Sequence, residues 1–357
     1  MWPHKKKSKE DIPDGCFLQE WQTQSHPNCN LLHELDLKVL LRHSNDLSRT
    51  TSPSTSGKYL SSGMWRDVYS IPVHFEQVVL KLMKKEHDVN WRNFERHRRE
   101  AIVMDVLTKS PNIVDLYSFC GNTVLTEYLP MDLENYLKEQ QQAKPRQKRA
   151  NYIDRNLVTT PQQRLNMAYQ TAKALKDLHE LDVMHADLQA KQFLVTSSNN
   201  NEHGAGDIIT IKLNDFNRCR FLPRRPSGEN TTIPKGSICP IHIPSAPGKA
   251  RSPEEYEMKE LTTQIDIYSL ANVWFRILTG RRPWEEERLS SNIKSSIMAG
   301  QKPPLPDWLT FDAGGQSSPS DISLAVLLSL AYHLDPQKRA TAINLVHEVE
   351  RLIVTVH

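Results

Sequence analysis

The stretch VMHADLQAKQFLV at residues 183–195 sets His185, Asp187, Gln189, Lys191 and Gln192 between runs of Val, Met, Phe and Leu. Ionisable groups held between apolar anchors suit a loop that moves a proton beside an anion. They equally suit a buried turn capped by an aspartate. Two further places carry the same ambiguity. Asp215 follows the apolar run IITIKLN, and Lys81 closes the run VVLK, with Glu100 lying 100 − 81 = 19 residues beyond it. Taken singly, Lys81 reads as a solvated strand-end charge, Glu100 as a helix-surface acid and each aspartate as a turn cap. His185, flanked by apolar residues, reads as a packed and hydrogen-bonded core histidine rather than a base.

The elements that must position these groups are legible from periodicity. SIPVHFEQVVLKLMKK contains two β-branched runs of strand type, and NWRNFERHRREAIVMDVL has apolar residues at helical spacing with a basic outer face. Further on, TTPQQRLNMAYQTAKALKDLHE offers Thr160 as N-cap, Pro161 at the first helical position and Gln163 to complete a capping box. Leu165, Ala168, Ala172 and Leu175 fall on one face of it. The 183–195 stretch therefore comes straight off a helix. The polar loop SSNNNEHGAG at 197–206 separates FLV from IITIKL, which predicts a hairpin leading into Asp215. Helices dominate from 260 onward, and ISLAVLLSLAYHL at 322–334 has the length of a core helix rather than of a membrane span.

The chain of 357 residues is 38% apolar, enough for one large two-lobed domain or two ordinary ones. Lys plus Arg (45) nearly balance Asp plus Glu (42), leaving a net charge of +3 that gives no case for a nucleic-acid partner. Residues 1–57 run from a basic start to the Ser/Thr-rich SNDLSRTTSPSTSG, which predicts a largely disordered tail with one docking segment at 31–41. No secretory signal is visible behind the first basic residues. KEQQQAKPRQKRANYIDRNLV at 138–158 reads as an exposed, disordered insertion. Cys16, Cys29, Cys120, Cys219 and Cys239 are odd in number, scattered and never spaced CxxC. That argues against both a zinc site and a disulfide framework, and for a reducing compartment, the cytoplasm or the nucleus.

In chain order the sequence presents LSSGMWRDVY (60–69), VVLK (78–81), Glu100, HADLQAKQ (185–192), DFN (215–217), SPE (252–254), DIYSLANVWFRILTG (266–280) and DPQKRAT (335–341). This ordered set, covering 58–353, resembles the protein kinase family in a divergent form. The resemblance implies that Lys81 pairs with Glu100 and reaches the α/β-phosphates of ATP, that Asp187 receives the substrate hydroxyl, and that Asp215 and Gln192 hold Mg²⁺, with Mn²⁺ as a substitute. Lys191 would assist Asp187. Gly63 and Val68 would cover the nucleotide, with Thr126 as a small residue behind the adenine and Glu127 opening the EYLP hinge. Glu254 would pair with Arg339, and Asp266 would anchor the loop at 185–187.

Departures from the family pattern bear on activity. The glycine-rich loop keeps only Gly63, with Ser61 and Arg66 at the flanking glycine positions; Arg66 there either supplies charge to a phosphate or faces solvent, and solvent is the expectation. Gln192 stands where asparagine is usual, one methylene longer. Asn217 replaces a glycine and is expected to tolerate its left-handed backbone. Ala186 replaces the arginine that reads an activation-loop phosphate, so control through Thr231, Thr232 or Ser237 by that contact is not expected. Gln189 takes the usual serine/threonine-kinase lysine position, while Lys191, four residues after Asp187, is placed as in tyrosine kinases.

The expected fold is α+β and two-lobed. A small β-rich N-lobe with one main helix (58–128) precedes a larger α-helical C-lobe (129–353) with an activation segment at 215–254, and ATP lies in the cleft between them. The expected function is ATP- and Mg²⁺-dependent phosphorylation of a protein substrate. A pseudokinase that binds nucleotide or scaffolds, and a small-molecule phosphotransferase, are the alternatives. SPE and Arg339 favour protein substrates.

Overall fold

A computed structural model describes residues 12–23, 29–41, 57–74, 76–142, 159–198, 208–225, 236–243, 250–309 and 317–356. The chain divides into two compact units, one of residues 24–136 and 191–219, the other of 1–23, 137–190 and 220–357. The α+β expectation holds.

The first unit is strand-rich. Strands β1 (Lys58–Ser62), β2 (Arg66–Val73), β3 (Glu76–Met83), β4 (Leu116–Cys120) and β5 (Thr123–Glu127) form an antiparallel sheet in the order β1-β2-β3-β5-β4. Two short helices, α1 (Asn30–Glu34) and α2 (Leu37–Leu41), place Leu31, Leu32, Leu35, Leu37, Leu40 and Leu41 against Ile71, Val73, Val78, Leu80 and Leu125 of that sheet. Leu32 is buried, a contribution of about 2 kcal/mol for a leucine removed from water. The docking segment at 31–41 therefore has its place, and the described part of the N-terminal region is packed rather than a bare tail. Gly57 closes this contact by donating its N–H to the Leu40 carbonyl at 2.8 Å. A Cβ there would lie 2.9 Å from both Ile71 Cγ2 and that same oxygen.

The long helix α3 (Trp91–Val106) starts at the N-cap Asn90, whose side chain accepts from Asn93 N at 3.0 Å. Its expected basic outer face is only partly solvated, because Arg98 and Arg99 are buried and Arg98 pairs with Glu95 at 2.7 Å. Beyond the sheet, β6 (Met131–Asp132), β7 (Phe193–Ser198) and β8 (Ile208–Leu213) form a second sheet in which the predicted hairpin is β7–β8. Leu213 N donates to the Asn112 carbonyl at 2.7 Å and Val114 N to the Leu213 carbonyl at 3.0 Å. These bonds tie the hairpin to the strand-rich unit, whereas a boundary at 128/129 assigns it to the helical part. The backbone bonds of β8, not chain order, decide which body it joins.

The second unit is helical. Helix α4 (Leu133–Gln142), which belongs to this unit from Leu137 on, already occupies the start of the expected insertion, whose remainder, 143–158, lies outside the described residues. Helix α5 (Pro161–His179) has the capping box as read, with Gln163 N donating to Thr160 Oγ1 at 3.1 Å and Thr160 N to Gln163 Oε1 at 2.9 Å. Helices α6 (Gln264–Thr279), α7 (Pro319–Ala331) and α8 (Ala342–Val356) complete the core. Trp274 of α6 is fully buried, its indole N–H satisfied by Thr171 Oγ1 at 3.0 Å. The apolar run at 322–334 is largely α7, with Leu324, Leu327 and Leu328 buried. Among the described residues no helix is long and apolar enough to cross a membrane.

The cysteine reading is corrected. Cys16 is disulfide-bonded to Cys239, 223 residues away, within the helical unit, and Cys29 to Cys120, 91 residues away, within the strand-rich unit. Only Cys219 is outside a disulfide, and it is buried. An odd total leaves one thiol over; it does not prevent the other four from pairing. Sequence spacing is silent on pairs brought together by folding.

Candidate active site

In the strand-rich unit the cross-strand register Val68↔Lys81↔Val124 sets Lys81 in the middle of the sheet. Its ammonium donates to Glu100 Oε1 of α3 at 3.0 Å and to Asn214 Oδ1 at 2.8 Å. Lys81 is 5% exposed and Glu100 fully buried. Burial by itself would push the Glu100 carboxyl up, but Arg66 and then Lys81 override it and hold the group at about 2. Asn214 also donates its N–H to the Gln192 carbonyl at 2.9 Å, joining the end of β8 to the start of β7.

Arg66 departs from the solvent-facing role expected of it. It is 5% exposed, forms an ion pair with Glu100 Oε2, and has Nη2 3.9 Å from Asp215 Oδ1. Strand parity carries the signal for this: residues two apart share a face, and Val68 is in register with Lys81, so Arg66 falls on the face of Lys81. In the preceding hairpin Gly63 N donates to the Arg66 carbonyl at 2.9 Å, and Lys84 N, just past β3, donates to the Trp65 carbonyl at 3.0 Å. The Trp65 ring carries the Arg96 guanidinium 3.7 Å from its centroid. Gly63 is exposed and Val68 half-buried.

Asp215 has left-handed backbone angles, φ 65° and ψ 59°. For a non-glycine residue this costs about 1–2 kcal/mol and is a device by which a site aims a side chain. Asn217 does not take over that backbone. It lies in the 3₁₀ turn Phe216–Arg218, and its amide donates to Asp215 Oδ1. Gln192 is 4% exposed, and its Oε1 has no hydrogen-bond partner among the described residues. A buried amide oxygen left without a donor beside a strand that ends in an aspartate is the chemistry of a hard-cation ligand set, and Mg²⁺ fits it. Lys191 is exposed in the turn Ala190–Gln192, with no ion pair or hydrogen bond among the described residues. Thr126 is buried and its hydroxyl donates to the Glu127 carbonyl at 3.3 Å. The Glu127 carboxylate is already engaged, by Lys212 Nζ at 2.6 Å and Asp115 N at 3.0 Å, and burial pushes its carboxyl up.

In the helical unit the loop carrying Asp187 hangs from one buried carboxylate. Asp266 at the start of α6 accepts from His185 N at 2.7 Å, Ala186 N at 2.9 Å and His179 Nε2 at 3.1 Å. Ala186 takes a left-handed φ of 60°, which turns the chain so that both N–H groups reach Asp266. His185 is fully buried, with Asp187 N donating to its Nδ1 at 3.3 Å, a packed histidine as read. The Asp187 carboxylate accepts from Arg251 Nη2 at 2.9 Å and Gln189 Nε2 at 3.1 Å. Arg251 also lies 3.5 Å from Glu255, whose carboxyl is pushed up by burial. Arg339 pairs with Glu254 through two bonds, at 2.7 and 3.1 Å. Ser237 is half-buried; Thr231 and Thr232 lie outside the described residues.

The fold thus brings Lys81, Glu100, Asn214, Gln192 and Asp215 together in one unit, and Asp187, Asp266, Arg251 and the Glu254–Arg339 pair together in the other. Asn214 and Arg251 are neighbours that motif reading passed over, and Arg66 is one that it placed in solvent. Asn214 adjoins a motif residue and Arg66 shares a strand face with one, but Arg251 carries no signal beyond preceding SPE.

A family profile described as "Protein kinase domain" matches residues 58–349. Among curated proteins, the chain is 26% identical over 303 residues to a probable serine/threonine-protein kinase, gdt4, of Dictyostelium discoideum, a match covering 83% of this chain and 16% of that protein. It is 26% identical over 234 residues to an Aurora kinase of Eremothecium gossypii, covering 65% and 54%. It is also 27% identical over 236 residues to the serine/threonine-protein kinase PrkC of Bacillus subtilis, covering 65% and 31%. In each case the chain spans little more than half of its relative's length, or less.

Proposed function

The chain belongs to the protein kinase family, and on that premise we propose that it is a working phosphotransferase that moves the γ-phosphate of ATP to a protein hydroxyl. The observation that carries this reading is the buried Lys81–Glu100 pair at 3.0 Å, maintained at the cost of taking both charges out of water. A module that only scaffolds has no need of it. The orphaned Gln192 Oε1 and the left-handed Asp215 support it further, because a scaffold gains nothing from either.

In this proposal Lys81 meets the α/β-phosphates and Glu100 fixes its ammonium. Asp187 orients the acceptor hydroxyl and receives its proton as the new O–P bond forms and the bond to the β-phosphate oxygen breaks. Asp215 and Gln192 hold Mg²⁺, with Mn²⁺ as a substitute; the ion, when bound, neutralises charge on the phosphates. Asp266 keeps the Asp187 loop in place, and Arg251 with Gln189 sets the carboxylate's orientation. Lys191, exposed in its turn, is free to approach an incoming acceptor. The names of the relatives support serine or threonine as that acceptor.

The test is thermal shift with ATP, with and without Mg²⁺ or Mn²⁺, followed by labelled-phosphate transfer to generic serine/threonine and tyrosine substrates. Metal-dependent stabilisation by ATP with transfer to the serine/threonine substrate supports the proposal. Stabilisation without transfer to any protein establishes the pseudokinase instead.

A further inference from the structure

Resting on the kinase reading, we propose that Arg66 is a second phosphate-binding cation of the nucleotide site, standing where a glycine-rich loop would otherwise offer backbone N–H groups. Three observations lead there. The guanidinium is buried, held by Glu100 through Nη2, while its Nη1 has no hydrogen-bond partner among the described residues. A charged donor nine-tenths buried and unpaired is costly unless a ligand supplies the acceptor. Next, Arg66 is on the strand face that carries Lys81, the cation already read as meeting phosphate, and both cations rest on the two oxygens of one carboxylate, Glu100.

The third observation is the local charge. Arg66 and Lys81 together bring +2, offset by −2 from Glu100 and Asp215. Once a divalent cation takes Asp215, the group carries a net +2, and Arg66 Nη2, 3.9 Å from that carboxylate, loses an attractive neighbour. Only an anion restores the balance, and a polyphosphate presents several oxygens to a forked donor. Arg66 therefore compensates for both erosions of the motif at once. It supplies charge where the loop has lost glycine N–H groups, and it lessens dependence on the metal position held by the longer Gln192.

The experiment compares ADP with adenosine, by calorimetry in EDTA and again with Mg²⁺, for the wild type, R66Q, R66K and K81M. The wild type is expected to prefer ADP over adenosine. R66Q should lose about tenfold of that preference, the scale of one charge-assisted hydrogen bond, while binding adenosine as the wild type does. R66K, which keeps the charge and the Glu100 pair but not the fork, should lose about threefold or more. A role confined to holding Glu100 would weaken adenosine and ADP alike and lower Tm without touching their ratio; that result overturns the proposal. If R66Q does not fold, R66K decides, and an unchanged ADP preference in R66K overturns it. A wild type without any ADP preference refutes the nucleotide reading itself, whereas a preference lost in K81M and retained in both Arg66 variants refutes Arg66 alone.

A separate observation carries a second inference. The two disulfides each fasten a part of the N-terminal region, Cys16 to Cys239 in the helical unit and Cys29 to Cys120 in the strand-rich unit. Noncovalent contacts accompany both: Phe17 pairs with Arg224 in a β-bridge, Trp21 stacks edge-on to Phe221 at 5.3 Å, and the α1–α2 leucines pack on the sheet. We infer that the chain matures in an oxidising compartment, where such long-range cross-links form and persist, and acts on substrates there. Closing loops this long removes much freedom from the unfolded chain. Peptide mapping of protein isolated from its source under thiol-blocking conditions should recover both linked pairs, with Cys219 as the one cysteine outside a disulfide. Recovery of all five as blocked thiols overturns the inference. So does zinc retained on Cys29, His33 and Cys120, whose ligand atoms lie within 4.8 Å of one another.

Discussion

Arg339→Met tests the physical account of the helical unit most directly. Arg339 is 3% exposed, and its guanidinium donates to Glu254 Oε1 at 2.7 Å, to Glu254 Oε2 at 3.1 Å, to the Gln264 carbonyl at 2.6 Å and to the His333 carbonyl at 3.0 Å. Methionine preserves most of the side chain's apolar volume, so the loss is one of charge and donors rather than packing. Glu254, 4% exposed, is then left as a buried carboxylate without its cation, which costs about 3–5 kcal/mol. For a unit of this size each kcal/mol moves Tm by about 2–4 °C, so R339M should melt about 6–20 °C lower. Removing both charges in E254L/R339M should recover most of that loss, because an apolar pair of similar volume is often neutral against a buried ion pair. The assay is urea and thermal denaturation of the wild type, both single variants and the double variant. A cost below about 1 kcal/mol for R339M, or a double variant as unstable as the sum of the singles, would refute the argument that these charges depend on each other.

Lys81→Met should abolish measurable phosphate transfer while leaving Tm within a few degrees, since Arg66 still pairs with Glu100 and a linear apolar chain fits the strand; unchanged transfer would dismiss the assigned role. Asp215→Asn should remove the Mg²⁺ dependence of ATP binding in a thermal-shift titration, whereas Gln192→Asn, restoring the shorter amide, should preserve or raise turnover. Inactivation by Gln192→Asn would show that the metal is not met there. The fourth prediction concerns pH. Burial, then the Arg66 charge, lowers the His97 pKa from an ordinary 6.5 to about 4. Its Nδ1 faces Asn122 Oδ1 at 2.9 Å, and the Glu100 charge and that hydrogen bond pull the other way without overcoming burial. Between pH 6.5 and 4 the unfolded chain takes up a proton that the folded chain refuses. This contribution to stability is therefore full above 6.5 and is lost as pH falls to about 4, up to about 3 kcal/mol in total. His97→Gln should flatten the Tm-against-pH curve across that window, and an unchanged slope would show that another group sets it.

Sequence by itself determined most of what is local or ordered along the chain. The capping box of Thr160 and Gln163 is written in four consecutive residues, and the β7–β8 hairpin in two apolar runs around a polar loop. Lys81, Glu100, Asp187 and Asp215 were identifiable because a motif fixes both residue type and order. Strand parity even contained the position of Arg66, once Val68 was aligned with Lys81. Tertiary structure decided what depends on distance through space. Arg66 became a buried partner of Glu100 because α3 packs its acid against that sheet face, a choice between burial and solvent that a lone arginine does not announce. Arg251 meets Asp187 only because a segment 64 residues downstream folds back on the loop. The cysteines pair across 91 and 223 residues, and no spacing rule reaches so far, because disulfide bonding requires only that two thiols meet in the folded chain.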